Sequence, residues 1–100
     1  MPKFITAVDH QLDQSTAQLR LQNFIDQITT QYADSISSME GTWNENCLNF
    51  DLVTMGMKVT GSLEVTQDVV MIQGSMPLAM SMFRGRLEKT MEQELRKLLA

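Results

Sequence analysis

The side chains that could carry out chemistry are few and lie close together. Asp9, His10 and Asp13 fall within one five-residue stretch, and Cys47 stands alone. A carboxylate beside an imidazole can orient the ring for general-base work, and two carboxylates with an imidazole are a plausible partial ligand set for a divalent cation. Either use needs another group brought in from elsewhere. The chain has one His and one Cys, and no HExxH, CxxC or GxSxG pattern. His10 is therefore expected to bond a turn at a strand-to-helix corner, and Cys47 to fill a half-buried position. No catalytic residue, metal ligand or cofactor is assigned, and an enzyme is not the expected class.

The glycines point away from phosphate chemistry. Gly56 and Gly61 bracket strand residues instead of introducing a helix, so no phosphate-cradling loop is present. Gly85 sits in the run Phe83-Arg84-Gly85-Arg86, where a helical glycine costs about 1 kcal/mol relative to alanine. That position implies a bend or a close backbone approach, with Trp43 as the suggested neighbour and a helix following its sheet as the reading.

The elements that would hold these residues can be read from periodicity. Lys3 to Val8 alternates as a short strand ended by the polar run from Asp9 to Gln14. Asp13 or Ser15 can cap a helix, and Ser15 with Gln18 has capping-box spacing. Ala17, Leu21, Phe24, Ile25, Ile28 and Tyr32 then fall within about 80° of one another on a helical wheel. After Asp34 the period becomes two. Four strands follow, Ile36 to Trp43, Cys47 to Met55, Met57 to Val65 and Val69 to Ser75, joined by turns too short for anything but antiparallel neighbours. Pro77 stops the last of them.

From Leu78 a long C-terminal helix carries Met80, Phe83, Leu87, Met91, Leu95 and Leu98 as one stripe, with Glu88, Lys89, Glu92, Glu94, Arg96 and Lys97 on its solvated face. The expected architecture is one α+β domain over residues 1–100. Its order is β-α-β-β-β-β-α, with spatial strand order 1-5-4-3-2 and the last helix packed on the sheet in a helix-grip-like arrangement. Phe50, Leu63, Phe83, Leu87 and Met91 are expected in its core.

Composition narrows the partners. A net charge of −4 leaves no cationic excess for a phosphate backbone, so nucleic acid is not expected. No apolar stretch approaches the ~20 residues of a membrane span, Met1 to Asp9 lacks the pattern of an export signal, and one cysteine allows no internal disulfide. These features together predict a cytoplasmic protein. Nine methionines suggest either a core filler or a deformable apolar surface.

Taken in order, His10-x-Leu12 with Ala17 and Arg20, Trp43 with Leu48 and Phe50, Gly56, Gly61, Leu63 and Val65, and Phe83-x-Gly85-x-Leu87-Glu88 before Leu95 and Leu98 resemble a family of short bacterial polyhydroxyalkanoic acid system, or granule-region, proteins. The resemblance spans nearly the whole chain. It implies an association with storage-polyester metabolism and brings no catalytic residues with it. This chain is richer in Met, Gln and Asn than the pattern, and Met57 to Val59 opens its strand less polar than is typical.

Two functions from different classes follow. One is a non-enzymatic accessory protein that binds a protein partner, a second copy of itself or a polyester granule surface. The other is a small carrier holding an acyl-like ligand between the sheet and the C-terminal helix. For the first, the docking candidates are Leu78 and Met82, which the wheel turns about 160–200° from the buried stripe, with the adjoining Met76 and Pro77. The apolar back-face residues Val53, Met55 and Met71 are the second candidate surface.

Overall fold

The period-two alternation of the sequence becomes a five-stranded antiparallel sheet in the computed structural model, which describes residues 3–31, 33–34, 36–54 and 56–100. The chain runs through β1 (Lys3–Asp9), α1 (Gln14–Gln31), β2 (Ile36–Asn44), β3 (Cys47–Thr54), β4 (Met57–Val65), β5 (Val69–Ser75), a 3-10 helix (Leu78–Phe83) and α2 (Arg84–Leu98). Strands lie in the order β1-β5-β4-β3-β2: short turns make β2 to β5 a meander, and β1 takes the place beside β5. Glu45 at φ 58 and Gly56 at φ 75 supply the left-handed backbone that two of the turns need.

Strand register sorts the inner face of the sheet into cross-strand rows. One row is Thr6, Ile72, Leu63, Leu48 and Trp43; the next is Phe4, Gly74, Gly61, Phe50 and Gly41. In the second row the adjacent Gly74 and Gly61 lie between Phe4 and Phe50, and the two rings occupy the space that these glycines leave. A Cβ built on Gly61 would lie 2.8 Å from Phe50 Cζ, and one built on Gly74 would lie 2.8 Å from Phe4 Cζ. The backbones of β4 and β5 also approach closely here, so neither glycine has room for a side chain.

The helices cover this face from two sides. Ala17 and Leu21 of α1 are buried with Val8, Leu48, Leu63, Val65, Val70 and the end of α2, Leu95 and Leu99. Met80, Leu87 and Met91 pack instead on a second cluster of Phe4, Val59 and Met76. Arg20 ties the helices together where they meet, donating to the carbonyls of Leu98 and Ala100 at 3.0 Å each.

The two sheet edges differ. Along β1 the edge is covered by α2, and the Glu88 carboxylate accepts the Ile5 amide at 2.8 Å while the Thr6 hydroxyl donates to the Glu88 carbonyl at 3.3 Å. Glu88 thus caps a strand edge, whereas the helical wheel places it on the solvated face. At the opposite side β2 pairs with β3 alone, with a register shift between Ile36 and Ser38.

Four expectations need correction. The C-terminal helix is not continuous from Leu78: a six-residue 3-10 segment comes first, and Phe83, at φ −94 and ψ 0, breaks the path before α2 begins. A helical wheel assumes one axis, so its phase does not carry across that break, and Phe83 is 50% exposed where a core position was expected. Leu63 is buried, whereas Phe50, Leu87 and Met91 are only half-buried. Gly85 lies in the first turn of α2 with open space where a Cβ would stand, so neither Trp43 nor any other close backbone neighbour explains it.

Candidate functional site

The polar corner is structural in its bonding. Asp13 begins α1: its carbonyl accepts the Ala17 amide at 3.0 Å, and its carboxylate accepts the Thr16 hydroxyl at 2.5 Å. That hydroxyl holds the Asp13 carboxyl below its ordinary value of 3.8. The buried His10 anchors β1 to the β4–β5 turn, its amide donating to the Asp68 carbonyl at 2.8 Å and its Nε2 lying 2.9 Å from the Thr66 carbonyl. A carbonyl can only accept, so Nε2 carries a proton, while Nδ1 is buried with no hydrogen-bond partner among the described residues.

Gln14 and Asn46 both donate to the Val65 carbonyl, at 2.8 and 2.7 Å, and Gln18 donates to the Glu45 carbonyl at 2.8 Å. The corner is a set of side chains bonded to turn carbonyls. Among the described residues no group of three His, Cys, Asp or Glu side chains could hold a metal ion, and Cys47 is half-buried and free.

Two other places have the geometry for recognition. The first is the 3-10 helix, in which no residue is buried: Leu78 is 77% exposed and Met82 82%, with the half-exposed Phe83 beside them. Arg84 and Arg86 follow, both exposed, on a chain that is otherwise net acidic. Met76 does not belong to this corner. It is 1% exposed, because the alternation of β5 that turns Val70, Ile72 and Gly74 inward continues one step beyond the strand.

The back-face candidates fare differently. Val53 and Met71 are half-buried on the outer side of the sheet, opposite Lys58 and Glu64 of β4, so that strand separates them and they form no continuous patch. Met55 lies outside the described residues.

The second place is a wedge-shaped groove on the inner face. Beyond the Arg20 contact α1 and α2 stand apart, leaving a depression of about 290 Å³. Phe24, Ile25 and Ile28 line one wall, Met91 and Leu95 the other, and Met39, Phe50, Leu52 and Leu63 the floor. Its surface is almost wholly apolar; Thr29, Thr90 and Glu94 supply the polar groups. The Thr29 hydroxyl is already spent on the Ile25 carbonyl at 2.8 Å. The sequence stripes of both helices give this groove its apolar walls, but its existence depends on how far the helices diverge, which periodicity does not encode.

An antiparallel sheet with a crossover helix and a second helix packed against it defines a small α+β fold. The sequence profile of the family described as "Putative polyhydroxyalkanoic acid system protein" matches residues 6–99, and the chain belongs to that family. No curated protein and no solved structure matches it. Among the described residues, no helix is long and apolar enough to cross a membrane.

Proposed function

We propose that this protein is a non-enzymatic, intracellular accessory of polyhydroxyalkanoate storage, which docks on the granule surface through the corner formed by Leu78, Met82 and Phe83. The observation that carries the reading is the exposure of Leu78 and Met82 on consecutive turns of a segment with no buried residue. Single exposed apolar residues are ordinary, but three large ones within six residues concentrate apolar surface on one short segment at a corner of the fold. Arg84 and Arg86 beside it suit a surface carrying anionic amphiphiles. The family name supports the polyester association.

The test is cosedimentation of the purified protein with isolated polyhydroxyalkanoate granules, comparing it with the double variant Leu78→Ser, Met82→Ser. Burying two such side chains is worth about 3 kcal/mol, so the variant's affinity should fall roughly 100-fold while its melting temperature holds within a few degrees. A protein that stays in the supernatant, or a variant that binds as well as the original, would end this reading.

A further inference from the structure

We infer that the groove between α1 and α2 is a binding site for one aliphatic chain of up to about ten carbons whose head group is uncharged, an ester or amide and not a free carboxylate. This goes beyond granule docking, which uses a different surface.

Size selects the chain. The depression of about 290 Å³ sits at the small end of ligand pockets. At about 30 Å³ for a group the size of a water or a methylene, complete filling sets an upper limit of about ten carbons. A second copy of the protein is a poor occupant, since a lasting interface buries about 800 Å² on each partner and this site is a narrow slot between two helices. Its lining gives no buried polar anchor to orient a sugar, nucleotide or peptide.

Charge selects the head group. Thr90 and Glu94 stand four residues apart at the α2 rim. Lys97 reaches Glu94 only at 3.9 Å between two exposed side chains, and Arg20 is engaged with the Leu98 and Ala100 carbonyls. A fatty carboxylate would therefore meet the Glu94 carboxylate at the rim, whereas an ester carbonyl can accept from the Thr90 hydroxyl.

Methionine methyls give a direct readout, because Met39 and Met91 line the groove while Met82 sits on the exposed corner. The full chain, labelled with methyl-¹³C methionine, is titrated with methyl octanoate and, separately, with octanoate. The Met39 and Met91 signals should move and Met82 should not. Affinity should rise about fourfold per added methylene up to roughly ten carbons and then level off. Octanoate should bind at least about tenfold more weakly than its methyl ester, and Glu94→Gln should narrow that gap.

Ile28→Trp, which fills the slot from a half-buried helix position, should abolish the shifts with the melting temperature retained. Shifts at Met82 but not at the groove methyls would overturn the inference and leave the corner reading standing. Equal binding of acid and ester would overturn the head-group assignment. Movement of Met39 and Met91 with protein concentration alone would assign the groove to a second copy.

Discussion

Replacing Gly61 by alanine tests the close approach of β4 and β5. In an ordinary strand this change stabilises by about 0.5–1 kcal/mol, because glycine loses more backbone freedom on folding. Here the new Cβ would lie 2.5 Å from the Gln73 carbonyl oxygen and 3.2 Å from Gly74 Cα, as well as 2.8 Å from Phe50 Cζ. The ring can tilt away, but the backbone of β5 cannot. Restoring an ordinary contact of 3.4 Å to the carbonyl requires the strands to part by about 0.9 Å. A ladder bond of about 2.9 Å stretched that far no longer qualifies as a hydrogen bond.

Losing the two bonds that flank the pair, at about 1 kcal/mol each, together with the disturbed packing of Phe50, gives a cost of about 2–3 kcal/mol after the entropy gain is subtracted. For a chain of 100 residues that lowers the melting temperature by roughly 10–20 °C. Urea unfolding followed by far-ultraviolet circular dichroism and by the fluorescence of Trp43, the single tryptophan, measures the difference. The same change in a Phe50→Leu background should recover less than half of the loss, since the backbone contact remains. A stabilised Gly61→Ala variant, or full recovery of the loss in the Phe50→Leu background, would refute the close-approach reasoning.

Leu21→Ala, at a fully buried position on α1, should cost about 3–5 kcal/mol, against about 1–2.5 for Leu87→Ala, which lies half-buried against the Phe4, Val59 and Met76 cluster; chemical denaturation ranks them, and the reverse order would mean the two core clusters are misjudged. Asp13→Asn should flatten the acid limb of stability. Its folded-state pKa is depressed by Thr16, so the contribution is present above the ordinary value of 3.8 and is lost as pH falls through the lower folded value; melting temperatures between pH 5 and 2 check this, and an unchanged acid limb would discount the cap.

Much of the architecture is legible in the sequence because short turns leave few choices. The turns at Glu45 and Gly56, and the polar turn from Thr66 to Asp68, force a meander, and α1 is the one element long enough to carry the chain across to β2. The exposure of Leu78 and Met82 agrees with the wheel, although the wheel's α-helical phase does not describe the 3-10 segment they occupy. What periodicity cannot deliver is anything that depends on two elements at once. The Gly61–Gly74 contact requires the β4–β5 register, the capping of β1 by Glu88 requires the helix to lie along that edge, and the groove requires the angle between the helices. Met76 is within reach of the pattern, since extending the β5 alternation past Ser75 turns it inward, but its place beside Pro77 and the following helix groups it with the corner instead.

The unequal sheet edges bear on how copies of this chain could assemble. A sheet with both edges bare can recruit strands at either side, and head-to-tail growth of that kind has no natural end. Here α2 and Glu88 lie along the β1 side, where Glu88 takes up the Ile5 amide, while among the described residues β2 pairs with β3 alone. Strand addition at β1 would have to displace the Glu88 carboxylate from the Ile5 amide, whereas at β2 it would displace no such bond, so edge pairing is biased toward β2 and toward a closed, two-fold pair.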